Sequence, residues 1–367
     1  MTVQHQGNEP AISTFNQLRN KLHEFWIKYL ILPMNVKHVH GKRFLSYAKD
    51  ELIVVSLAKN AEVYISSFID HYIQLGVKHI FILDNGSTDN TVSITSKYPQ
   101  VSVYQCSLSF REYNLLMRQF LLRRFGRKNR WLLCVDIDEL FDYPCSDRIN
   151  LGAFLRYLST RKYTTIVAYM LDMFSEQPIS HLDTESDNLK QAYPYFDIST
   201  ISKFDYHEWY PYHGHSNRFI RKEKLQNVLS NPEIKHYSGG IRSKIFDLPN
   251  IYLIKHPLIF KDGKAELVHQ HFVNYAHVAD VSGVLYHYKL SAGFQDRIQD
   301  AIKNKQYWND SLEYTKYHRV IEKIPDICFK TNSAEKFDSV NNLVHVNFLH
   351  ITKEYIDWCE QHSATGY

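Results

Sequence analysis

From residue 52 onward, apolar residues gather into short, nearly unbroken runs, each followed by a polar cluster and then by a stretch with helical spacing. The runs LIVVSL (52–57), HIFIL (79–83), VSVYQ (101–105), WLLCVDI (131–137) and TTIVAYM (164–170) predict five strands. Being apolar on both faces, they suit a parallel sheet covered by helices on each side. The segments between them, near 61–75, 89–97, 111–125 and 151–159, predict those helices. An open α/β domain follows, and ligands of such domains collect at the carboxyl edges of the strands.

The pattern changes at both ends. FNQLRNKLHEFWIKYLILP sets Phe15, Leu18, Leu22, Phe25, Trp26 and Tyr29 on one helical stripe that Pro33 should end. Packing on the main domain is one use for such a stripe, and lying on a membrane surface through residues 15–32 is the other. Beyond about 190 the regularity fades into short elements rich in Tyr and His. From 293 helical spacing returns, with Phe294, Ile298 and Ile302 on one face, then Leu312, Val320 and Ile324 before Pro325. The expected division is an N-terminal helical extension (1–50), an α/β domain (51–290) and a C-terminal helical region (291–367). SEQPISHLDTESDN (175–188) reads as a polar loop able to close over the cleft.

Composition narrows the class. At 367 residues, 44% hydrophobic and 22% charged, the chain has material for a large core and no mark of disorder. A net charge of +4 without a dense basic block excludes an electrostatic grip on nucleic acid. The five cysteines are widely spaced and lack C-x-x-C, which indicates neither a disulfide framework nor a zinc site and suits a reducing cytoplasm. No run approaches the ~20 apolar residues that cross a bilayer.

Three carboxyl edges carry polar clusters that should converge on one cleft: AKNAE, DNGSTDNT and DIDE. If 131–137 is one strand, Asp136 and Asp138 share a face about 7 Å apart, a spacing suited to a divalent ion. Hard oxygen ligands select Mg2+ or Mn2+ and leave positions for phosphate oxygens. An acidic turn after a strand is the plainer account. Asp84 could accept from a base or ribose, Gly86 permits backbone closed to other residues, and Asn60 could cap helix 61–75 or touch ligand.

VVSLAKNAEVYISSFIDHYIQLGVKHIFILDNGSTDNT followed by WLLCVDIDELFDYP resembles the family 2 type of glycosyltransferase, with its A-type nucleotide-sugar fold and D-x-D motif. HYSGGIRSKIF, LIKHPLIF, QHF and SGVLYHYKL are similar to a bacterial subgroup, extending the likeness over about 51–315. The resemblance implies a nucleoside-diphosphate sugar donor, UDP-linked first, a glycan or lipid-linked acceptor, a role in polysaccharide synthesis, and Mn2+ or Mg2+. It implies nucleotide-sugar contacts at Asn60, Glu62, Asp84, Asn85, Asn114, Arg118, Asp136, Arg242, His287 and Lys289. It implies metal contacts at Asp136, Asp138 and His271, with His269 as the local rival. Two departures stand out: KNAE shifts Glu62 by one position, and DN replaces the usual DD, so Asn85 brings no second carboxylate.

For an inverting transfer the acceptor hydroxyl needs a base. Asp172 is the first candidate, Glu176 the second and Asp197 the third. Tyr206, His207, Trp209 and Tyr212 are candidates for acceptor contact. Two alternatives are an inactive sugar- or nucleotide-binding scaffold on this fold and an aspartyl phosphatase using DIDEL.

Overall fold

The computed structural model describes residues 22–182, 188–207, 225–249, 251–305 and 308–363. Strands β2 (Leu52–Ala58), β3 (His79–Asp84), β4 (Val101–Cys106) and β5 (Trp131–Cys134) run parallel, with every residue of β2 and β3 buried. Their side chains alternate between two cores. Leu52, Val54, Ile80, Ile82, Val103 and Leu133 point one way, and Ile53, Val55, Phe81, Leu83 and Leu132 the other. Helices α1 (Glu62–Gln74) and α4 (Leu151–Thr160) cover the first face, and α3 (Phe110–Phe125) the second, with the short helix α2 (Thr91–Thr95) between β3 and β4. Such two-sided burial is why the runs carry no polar alternation, and each fully buried Leu or Ile contributes about 1.5–3 kcal/mol.

The sheet has six strands. β1 (Val36–His40) adds antiparallel to β4 at one edge, and β10 (Leu258–Phe260) adds antiparallel to β5 at the other. The expected mostly parallel α/β architecture is present. The N-terminal segment, however, contributes a sheet strand as well as a helix.

A second sheet of four strands stands beside the first, in the order β9 (Ile254–Lys255), β7 (Ala168–Asp172), β11 (Gly283–His287) and β6 (Glu139–Asp142). β11 runs parallel to β7 and antiparallel to β6, so Glu139, His287 and Asp172 occupy one row across three strands. The expected strand 164–170 is displaced: Thr165 makes only isolated bridges, and the ladder starts at Ala168. It lies in this second sheet, not next to the D-x-D strand.

The C-terminal helices α6 (Phe294–Asn304) and α7 (Trp308–Lys323) form where the spacing places them and share a core with Phe246 and Phe329. At the N-terminus Pro33 does not end the helix, which runs on to Met34. Lacking an N–H, proline breaks the regular ladder. Residues Ile27–Ile31 relax into a π-turn closed by Leu32 N–H on the Ile27 carbonyl.

Candidate functional site

Trp131–Cys134 belongs to the first sheet and Glu139–Asp142 to the second, so residues 135–138 carry the chain from one to the other. Val135 and Ile137 continue the apolar pattern, but the strand has already ended. A turn replaces it, closed by Glu139 N–H on the Asp136 carbonyl at 3.1 Å, while Asp136 N–H donates to Glu139 Oε2 at 2.9 Å. Asp136 and Asp138 are therefore not i and i+2 of a strand. Each enters a different charge network.

Asp136 is held by two cations. Arg118, from the buried face of α3, donates to Oδ1, and Lys255 of β9 donates to Oδ2 at 2.6 Å. Lys255 also reaches Glu139 Oε1 at 2.6 Å, and its side chain is 3% exposed. Burial pushes the Asp136 carboxyl up, yet Arg118 and Lys255 outweigh it and hold the group well below the usual carboxylate range. Burial prevails at Glu139, which is raised against the pull of Lys255.

Asp138 lies on the other side of the turn. His287 Nε2 stands 3.4 Å from its Oδ2, and His287 is the sole side-chain partner of this carboxylate among the described residues. The Asp138 side chain is 22% exposed, and its Oδ1 has no side-chain hydrogen-bond partner among the described residues. His287 Nδ1 is 2.6 Å from Asp172 Oδ1, and Arg242 Nε donates to Asp172 Oδ2 at 2.8 Å. Burial opposes charge on His287, but Asp138 and Asp172 on its two sides overcome it and raise its proton affinity. Asp172 goes the other way: burial raises it, and Arg242 and His287 together hold it far below the ordinary range.

Gly239 and Gly240 are needed to aim Arg242. Both have positive φ (97° and 77°), turning β8 (His236–Gly239) into helix α5 (Gly240–Phe246). A Cβ on Gly240 would stand 3.0 Å from Leu253 and 4.0 Å from Asp172 Oδ2. The glycine pair thus serves an ion pair. Arg242 continues to Glu313 of α7 at 3.4 Å, and Lys289 meets the same Glu313 oxygen at 3.4 Å with its ammonium 4.7 Å from the Tyr314 ring centre.

The first two loop clusters form a separate, interlocked unit. Asp84, fully buried, accepts from Ser87 N–H at 3.2 Å, Gly86 N–H at 3.3 Å, the Ser87 hydroxyl, and Gln105 at 3.1 Å. Asn60 does not cap helix α1; Ala61 takes that position, and the Asn60 side chain accepts from Thr88 N–H at 2.8 Å. Glu62 accepts from the Asn90 side chain at 2.7 Å, and Asn85 donates to the Cys106 and Leu108 carbonyls at 2.7 and 2.9 Å. Asn114 donates to Phe110 O one turn back on α3. These groups shape the loops; no contact joins Asp84 to Asp136.

The remaining candidates are spread out. Glu176 is exposed and pairs with Lys330 at 2.6 Å, and Asp197 accepts from Ser199, Thr331 and Ser333. Tyr206 is buried against His256 and Asn227 and offers no face to a sugar. His207 donates its backbone N–H to Asp205 at 2.9 Å and sets its ring edge-on to Tyr206, and Trp209, Tyr212 and part of the 175–188 loop lie outside the described residues. Lys255 and Glu313 are the members that sequence reasoning missed, and Glu139, part of the DIDE cluster, received no role there. The one available signal was a lone lysine in the apolar run IYLIKHPLIF, which must meet a buried acid.

The donor set does not make a metal site as it stands. Both Asp136 oxygens are taken by Arg118 and Lys255, and among the described residues no three His, Cys, Asp or Glu side chains gather as ligands. His271 donates from Nδ1 to Ile254 O at 3.2 Å and is kept neutral by burial and by Lys255, which leaves a lone pair on Nε2; its N–H meets His269 Nδ1 at 3.1 Å. The positive charge near the acids comes instead from protein side chains.

No family model matches the sequence, and no curated protein matches it. Among solved structures, residues 1–349 of S. aureus TarS are similar at 13% identity over 75% of this chain and 72% of that one, with a TM-score of 0.30. The glucosyl-3-phosphoglycerate synthase of Mycobacterium tuberculosis, solved with Mn2+, UDP and glucosyl-3-phosphoglycerate, is similar at 18% identity, covering 36% of this chain and 52% of that one, with a TM-score of 0.21. The S. cerevisiae mannosyltransferase Ktr4p gives 13% identity, 47% and 54% coverage, and a TM-score of 0.22. Likenesses this partial carry no functional argument, which rests on the side chains described above.

Proposed function

We propose that the chain is a glycosyltransferase of the A-type nucleotide-sugar fold, moving a sugar from a nucleoside-diphosphate sugar, UDP-linked first, to a hydroxyl of a glycan or lipid-linked acceptor. The observation that carries this reading is the junction of the two sheets, where Asp138, 22% exposed, meets His287 while Asp136 beside it is held by Arg118 and Lys255, Asp172 by Arg242, and Lys289 and Arg242 share Glu313. Burying so many ions is costly, and a scaffold that only binds has no need of it. A phosphatase would need Asp136 free to attack, whereas both its oxygens are engaged.

In this proposal the leaving diphosphate displaces Glu313 from Lys289 and Arg242, and those cations with His287 meet the charge that builds on it. As His287 turns toward phosphate, Asp138 loses its counter-charge, gains proton affinity and takes the acceptor hydroxyl's proton. Asp172 becomes a positioning residue for His287 and Arg242. Asp84 acts through the loop it folds.

The test is release of nucleoside diphosphate from a panel of sugar nucleotides. Asp138→Asn should lower kcat at least ~100-fold, and a variant as active as the parent would sink the proposal. With the basic side chains placed as they are, turnover should survive EDTA. Loss restored by Mn2+ would mean that Asp136 exchanges Lys255 for a dication.

A further inference from the structure

The N-terminal helical segment turns its apolar side to solvent. Leu22, Phe25, Trp26, Leu30, Ile31 and Met34 are exposed, Trp26 by 55% and Met34 by 81%, and among the described residues of this segment only Ile27 and Leu32 are buried. The π-turn explains how five residues apart can anchor the same side, since it winds more residues per turn than an α-helix. Exposed large apolar surface of this extent marks an interaction site.

Beside it opens a cavity of about 580 Å3 lined by Lys28, Arg43, Arg123 and Arg124, with Tyr29 and Tyr104 among the aromatic walls and no carboxylate in the lining. Arg123 gives one guanidinium nitrogen to Lys28 O at 3.0 Å, but its Nη1 is buried with no hydrogen-bond partner. Such a donor needs an acceptor. Arg124 lies 5.1 Å from the Phe44 ring centre, and Phe44 is itself 72% exposed, so cations and apolar rings alternate across one face.

We infer that this face docks on an anionic lipid bilayer, the helix edge entering the acyl boundary while the basic cavity takes lipid phosphate. Charge selects the occupant: a bilayer with anionic headgroups offers phosphates directly above hydrocarbon, the two chemistries this face presents side by side. The inference is independent of the catalytic proposal, since none of the residues lining this face belongs to the charge networks of Asp136 and Asp138.

Sedimentation of the full chain with vesicles tests it. Binding is expected to phosphatidylcholine vesicles containing phosphatidylglycerol and not to phosphatidylcholine alone. Arg43→Ala/Arg124→Ala should weaken it about 30-fold, from about 1 kcal/mol per cation. Phe25→Ser/Trp26→Ser should weaken it at least ~10-fold. Both variants change exposed residues and should keep the parental melting temperature and donor turnover, so failure here and failure of the catalytic proposal are separable. Equal binding to neutral vesicles, no binding, competition by inorganic phosphate without vesicle binding, or a dimer abolished by Phe25→Ser/Trp26→Ser would each overturn the inference.

Discussion

Asp172 shows how a carboxylate chosen from sequence changes role when its partners appear. Its position after an apolar run suggested a base, but both oxygens are committed to His287 and Arg242, which come from segments 115 and 70 residues away. Removing it would strand two buried cations, so Asp172→Ala should cost about 3–5 kcal/mol, readable as a lower urea midpoint. His287 is raised above its ordinary value, so its contribution is complete below about pH 6.5 and declines as pH climbs through the raised folded value. Asp136, Asp138 and Asp172 are depressed, so theirs is complete above about pH 4 and declines as pH falls through the depressed values. Unfolding free energy should thus show an acid limb and an alkaline limb, and His287→Gln should flatten the alkaline one. Asp136 and Asp138 were legible because acids after a strand must find water or cations. Lys255 shows only as a lysine in an apolar run, its acids 119 and 116 residues away, and Glu313 carries no local mark of Arg242, 71 residues before it, or of Lys289.

Among the elements, β2, β3 and β4 were readable almost to the residue, since two-sided burial imposes an unbroken apolar run. β5 was read three residues too long because Val135 and Ile137 preserve that run through a turn. The second sheet was hidden for a different reason: β9 is two residues long, and β11 was not distinguished among the short elements after 190. The glycine pair entering α5 offers a direct check. Gly240→Ala meets both positive φ and Leu253, so it should cost ~1–3 kcal/mol and raise KM for donor by loosening Arg242. Helix α7 carries Glu313 across Lys289 and Arg242. With that charge removed, Glu313→Gln should tighten nucleoside diphosphate severalfold by titration calorimetry, the anion no longer having to break an ion pair.

For the molecule as a whole, the N-terminal segment is part of the sheet and not an appendage. β1 covers the outer hydrogen-bonding edge of β4, and Lys42 N–H donates to Ser102 at 2.7 Å beside it. A chain started at residue 51 should therefore expose an open edge and aggregate, where one started at residue 35 stays monodisperse by light scattering. Among the described residues no helix is long and apolar enough to cross a membrane.

Residues 135–138 form a short covalent link between the two sheets, as His256 and Pro257 do between β9 and β10, and Asp138 sits on the first of them. Anything that slides one sheet against the other, including repacking at Leu133 or Phe141 far from any ligand, must pull on this four-residue tether. Activity would then act as a strain gauge for the packing between the halves: core variants that fold normally should still be sorted by turnover according to how far they shift that joint.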